Sequence, residues 1–226
     1  IRLRKKCGAR QTGKTRSSAT NIRKSSIPIT AAASGLRLDN GLSLHSIPMK
    51  YRDEIVRAME FLGEDPKVFF LGQCVAYPGN AISKTLINIP AEKKLELPVF
   101  EEVQMGMSIG MAFGGFVPVT IYPRFNFLLL AMNQLVNHLD KIPSITHGAA
   151  QPKLIIKTVI GSERPLFPGV QHSGDFTDGV RLLLKHVDIV RLDESEQIFP
   201  AYEHALNRTD GKSTILVEWG DYYNEK

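Results

Sequence analysis

Five short apolar runs, at residues 67–71, 117–122, 153–159, 188–192 and 214–218, recur along this chain with room for a helix between successive runs. Helical spacing fills several of those gaps. Ile55, Val56, Met59 and Leu62 make one apolar stripe across 51–62, and helices are expected at 101–114, at 126–139 with Asn126 as its cap, and at 194–207 behind a capping Asp193. Strands of 4–7 residues joined by such helices need crossover connections. Those connections are right-handed and impose a mainly parallel sheet covered by helices on both faces, so the expected fold is α/β with three layers. Ligands of such sheets bind beyond the carboxyl ends of the strands. The loops of interest are therefore the one ahead of Glu101, the one around 122–127, and the polar, Pro- and Gly-bearing segment 161–178.

Residues 97–141 carry the densest signal. Glu101 and Glu102 open a helix in which glycine stands at 106, 110 and 114, a spacing that lines one face with positions lacking side chains and lets another backbone approach closely. Met105, Met107 and Met111 interleave with them as adaptable packing groups. A strand follows, and then Tyr122-Pro123-Arg124-Phe125-Asn126-Phe127 ahead of the next helix. Further on, Gln171-His172-Ser173 places an imidazole, with its ordinary pKa near neutrality, in a loop. Each feature has an ordinary structural explanation: Glu at a first helical turn complements the dipole, paired Phe residues are core, and a loop His is solvated.

Taken together, the block resembles the pyrimidine-binding domain of thiamine-diphosphate enzymes, transketolase-like and closest to the β subunit of the first component of the 2-oxo acid dehydrogenases. The resemblance covers about residues 49–220. It implies that Glu101 shares a proton with a ring nitrogen of the aminopyrimidine, which favours loss of the proton on the thiazolium carbon. It also implies that Phe127 stacks on the aminopyrimidine with Phe125 supporting the wall, that Tyr122 belongs to the cofactor-binding set, and that His172 serves proton transfer or docking of an acceptor. Gly106, Gly110 and Gly114 would lie at a subunit contact. The family holds diphosphate and magnesium through a Gly-Asp-Gly run and a later Asn, whereas this sequence has Gly174-Asp175-Phe176. The implied protein is thus the pyrimidine half of an enzyme of 2-oxo acid decarboxylation or two-carbon transfer. It would need a separate α-like, diphosphate-binding subunit that carries most of the Mg2+ contacts, in a hetero-oligomer or around a homodimer of pyrimidine halves. A noncatalytic assembly or regulatory subunit with the same fold is the other reading. Arg124 and Pro123, and the charged and proline-bearing run 161–170, depart from the family pattern and bear on substrate choice.

Charge divides the chain. Ten of its 28 basic residues but only one of its 23 acidic residues fall in 1–48, so that segment carries +9 and residues 49–226 carry −4. The segment 1–48 is also poor in aromatics, and is expected to be a disordered or non-native basic tail ahead of a pyrimidine-binding domain at 49–226. Met49 is one candidate start for the folded part. An Arg- and Ser-rich targeting segment is the alternative, which would replace the cytoplasmic location expected here by mitochondrion or plastid. Without interleaved aromatics the tail does not read as a nucleic-acid surface. Cys7 and Cys74 form no disulfide framework or metal-ligand spacing, and no apolar run approaches the ~20 residues of a membrane span. Deleting 1–48 is expected to leave the melting temperature within about 2 °C while weakening retention on a polyanion column; calorimetry and chromatography of the two forms check this.

Overall fold

The computed structural model describes residues 50–162, 164 and 166–224; the calls made for 1–48 and Met49 lie outside the described residues. Six strands form one sheet: β1 (Val68–Gly72), β2 (Lys94–Glu96), β3 (Val117–Tyr122), β4 (Ile155–Ile160), β5 (Val187–Arg191) and β6 (Ser213–Trp219). Every pairing is parallel, in the order β2-β1-β3-β4-β6-β5. β2 is the strand that residue pattern did not announce. It is three residues long, lies at the sheet edge and is only partly buried, so it lacks the apolar run that marks the others.

The helices are α1 (Tyr51–Glu64), α2 (Ala81–Thr85), α3 (Glu101–Phe113), α4 (Phe125–Leu128), α5 (Ile142–Ile145), α6 (Thr177–Arg181) and α7 (Ser195–Asn207). Strand alternation sorts the core into two clusters. Val117, Val119 and Ile121 of β3, with Ile155 and Val159 of β4, meet α1 and α7 on one face. Tyr122, Ile156, Ile160, Ile215 and Val217 meet Met105 and Ile109 of α3 and the helical stretch after α4 on the other. Both faces are therefore covered, as a parallel sheet requires.

Two capping expectations are corrected. The helix at 126–139 starts at Phe125, with Arg124 extended before it, and Asn126 does not cap because its side-chain oxygen faces His172 instead. The stretch also changes hydrogen bonding, running from α4 through a 3-10 turn (Leu129–Ala131) into a π-helical turn (Asn133–Leu139). At α7 the cap is Glu194, in a reciprocal capping box with Gln197. Asp193 is committed elsewhere, accepting from Arg191 Nε at 2.7 Å and Trp219 Nε1 at 2.9 Å.

An ion pair stands inside the first cluster. Lys157 of β4 and Glu218 of β6 are fully buried and bonded to each other, and the Glu218 carboxylate also accepts from Tyr202 of α7 and from Tyr223. Burial pulls the Lys157 ammonium below its ordinary range, and the Glu218 charge opposes that; burial drives both tyrosines well above theirs, so they remain donors. Removing one partner strands the other charge. Glu218→Leu is expected to cost about 3–5 kcal/mol, and adding Lys157→Met should restore most of the loss, since apolar replacement of a whole buried pair is tolerated; urea denaturation of single and double variants measures both.

Candidate functional site

The carboxyl ends of β1, β3 and β4 stand side by side, and the loops leaving them gather the polar groups. β1 closes on β3 through Gly72. With φ near +147°, a side chain there would put Cβ 2.2 Å from the Ile121 carbonyl oxygen, so only glycine permits the approach. The next residues form a tight turn in which Cys74 takes a positive φ of 65°. That turn is held by Glu96, which accepts from the backbone N–H of Cys74 at 2.7 Å and of Ala76 at 2.8 Å.

Glu101 begins α3 at this edge and is 5% exposed. Gln73 donates to its Oε1 at 3.1 Å, and the Tyr122 hydroxyl donates to its backbone oxygen at 3.1 Å. Burial pushes the Tyr122 phenol well above its usual range, so it stays a donor. One turn on, Gln104 anchors α3 to β3 by donating to Thr120 Oγ1 and to the Ile121 carbonyl, both at 2.9 Å. Glu102 points away and is exposed, accepting from Asn133 at 2.8 Å.

A second group forms around the β3–α4 connection and the loop after β4. The His172 ring lies 5.4 Å from the half-buried Phe127 ring, with its Nδ1 at 3.2 Å from Asn126 Oδ1. Gly161 ties the loop together: its N–H donates to the Ser173 carbonyl at 3.2 Å, and its carbonyl accepts from Arg124 at 3.4 Å. Asp221 secures the same loop by accepting from Ser162 N–H and hydroxyl and from Arg164.

The expected site residues thus fall into two neighbouring groups, Glu101 with Tyr122 and Phe127 with His172, joined by the segment 122–127. Phe125 and Tyr122 are fully buried and offer no surface to a ligand. Phe125 packs edge-on against Phe176 at 5.7 Å and supports the wall from within the core. Among the described residues no backbone from another element packs against the glycine face: a Cβ at Gly110 would meet nothing within 4 Å, one at Gly106 only Gln134 at 3.9 Å, and one at Gly114 the Met111 carbonyl of its own helix and the Phe116 ring. Val103, Met107 and Phe113 of the same helix are exposed, whereas Met105 is turned into the core. Gln73, Glu96 and the Asn126–His172 pair were not anticipated. A polar residue directly after a buried strand, and one set between two phenylalanines, were the available signals.

Among the described residues, no group of three or more His, Cys, Asp or Glu gathers into a metal site. The pyrimidine end of thiamine diphosphate does fit the arrangement: a buried carboxyl with one oxygen engaged by an amide, and a half-exposed aromatic face one short segment away.

The class defined by the fold is the transketolase-like α/β fold. A split-gene transketolase structure, described as an inactive β4 tetramer, superposes with a TM-score of 0.59 over 76% of this chain and 52% of its own, at 14% identity. The particular relatives in sequence are β subunits of the pyruvate dehydrogenase E1 component. The mitochondrial protein of Caenorhabditis elegans is 30% identical over 133 residues, 57% of this chain and 37% of its own length. That of Saccharomyces cerevisiae is 29% identical over 152 residues, 66% and 40% respectively. The chain therefore spans about 40% or less of the length of these relatives. No protein-family model matches the sequence.

Loss of the Glu96 carboxylate should free the turn that delivers Gln73. Glu96→Ala is expected to speed amide hydrogen exchange at Cys74 and Ala76 by on the order of tenfold or more while core strands stay protected, as local opening predicts; exchange followed by NMR gives the answer.

Proposed function

We propose that this chain is the pyrimidine half of a thiamine-diphosphate-dependent enzyme that decarboxylates a 2-oxo acid or transfers a two-carbon unit from a ketose. The single observation that carries the reading is Glu101: a carboxyl buried at the start of α3, at the carboxyl edge of a parallel sheet, with Gln73 on one oxygen. Similarity to E1 β subunits supports the same reaction class.

In this reading the bound cofactor supplies an electron sink beside the substrate carbonyl. The protein's part is positional and acid–base. Gln73 occupies Oε1 of Glu101, which leaves Oε2 to exchange a proton with the pyrimidine ring nitrogen. Tyr122 and Gln104 hold the first turn of α3 so that this oxygen does not wander. Phe127 offers a flat apolar face for the ring, and His172 beside it accepts or returns a proton at the substrate.

A separate α-like subunit would bind the diphosphate and Mg2+. The sequence Gly174-Asp175-Phe176 in place of Gly-Asp-Gly supports this, as does the exposed apolar and glycine face of α3 that such a subunit could cover. Both β-subunit relatives are named mitochondrial, which favours the organellar location over the cytoplasmic one.

Isothermal calorimetry should find the chain alone binding thiamine diphosphate at roughly millimolar affinity, about 4 kcal/mol, with tight, magnesium-dependent binding once a diphosphate-binding partner is added. Micromolar, magnesium-dependent binding by the chain alone would overturn the half-site reading. In the completed complex, Glu101→Gln should slow hydrogen–deuterium exchange at the thiazolium carbon by on the order of 10²–10⁴. An unchanged rate would leave the noncatalytic assembly subunit as the better reading.

A further inference from the structure

We propose that Asn126 is a positioning residue that fixes His172 as the Nδ1–H tautomer, so that Nε2 is the proton-accepting atom of the ring. The inference deepens the reading of this edge as a thiamine-diphosphate site and rests on it for its functional meaning, though the tautomer itself is a property of this chain alone.

Three observations converge. Nδ1 of His172 lies 3.2 Å from Asn126 Oδ1, an atom that accepts, so this contact is a hydrogen bond when Nδ1 carries the hydrogen. The backbone of the loop is pinned on both sides of the ring, by His172 N–H to the Gly169 carbonyl at 3.1 Å and by Gly161 N–H to the Ser173 carbonyl at 3.2 Å. Phe127, the residue after Asn126 on the same helical turn, sets its ring against the imidazole at a 45° tilt. Asn126 and Phe127 therefore address one ring from one turn, the first through Nδ1 and the second through a tilted ring contact. Among the described residues, Nε2 has no hydrogen-bond partner. In a neutral imidazole the tautomer is set by the bond that the other nitrogen makes. With Nδ1–H spent on Asn126, the neutral ring presents Nε2 as an acceptor and suits a hydroxyl or a protonated group. A proton taken at Nε2 makes the ring cationic, with Nδ1–H still held by the Asn126 carbonyl, and the same nitrogen can return it.

The tautomer can be read without any cofactor. Full-length chain labelled with 15N-histidine, observed through long-range 1H–15N correlations at a pH where the ring is neutral, distinguishes a protonated Nδ1 from a protonated Nε2. His172→Gln identifies the His172 signals among the six histidines. The wild-type ring is expected to be mainly Nδ1–H. Asn126→Ala should move the tautomer ratio toward Nε2–H by on the order of five- to tenfold, the effect of losing one hydrogen bond. Asn126→Asp, which keeps an acceptor at the same place, should retain Nδ1–H. A wild-type ring that is mainly Nε2–H, or an Asn126→Ala ratio equal to wild type, would overturn the proposal. The wild-type spectrum decides even if Asn126→Ala fails to fold. Thiamine diphosphate calorimetry is a separate readout, so the cofactor reading and the tautomer assignment can fail independently.

Discussion

The carboxamide of Gln104 is the interaction on which the geometry of this protein turns. It sits one helical turn after Glu101, almost wholly buried, and its nitrogen donates to both the Thr120 hydroxyl and the Ile121 carbonyl of β3. Burying an amide is unfavourable unless its donors are satisfied, so α3 is held at the one height over the sheet where both bonds form. That height sets where the helix begins. Glu101 consequently lies at the carboxyl edge, within reach of Gln73 just after β1 and of the Tyr122 hydroxyl from β3. The glycine at 72 belongs to the same constraint, since it allows β1 to lie close enough to β3 for its following residue to meet the helix.

On the opposite face the central strands carry a charge pair within their apolar packing. Lys157 and Glu218 lie on adjacent strands, and Tyr202 of α7 and Tyr223 after β6 complete the carboxylate's bonding. Such a cluster contributes little net stability compared with apolar side chains of the same volume. Its consequence is geometric: a slip of β4 against β6 would separate two buried charges, so the register between them is strongly specified. Because β4 leads into the 161–173 loop and β6 into Asp221, which grips that loop, this register also sets where His172 stands.

The two polar groups at the sheet edge are fixed by different means. Glu101 is held by side chains reaching across from neighbouring strands. His172 lies in a loop secured largely through backbone bonds and by one turn of α4.

Much of this was legible from residue order. Apolar runs of strand length separated by helical stripes predict a parallel, two-sided sheet, because crossovers are the short way to join such strands and helices must cover both faces. Loop position marked the regions that hold Glu101, Phe127 and His172, whereas their roles were implied only by the family resemblance. The short edge strand β2 escaped because half-exposed edges carry no distinctive pattern, and Asn126 was assigned a cap it does not make because its partner lies 46 residues away. That Tyr122 is turned wholly into the core was not legible, since an aromatic residue has the same propensity whether it faces a ligand or the core. Local periodicity thus determined the elements, their order and the edge where polar groups collect. Only the tertiary structure decided which atoms meet there, because hydrogen bonds such as Gln73 to Glu101 and Asn126 to His172 join distant segments that acquire a common location when the strands pair.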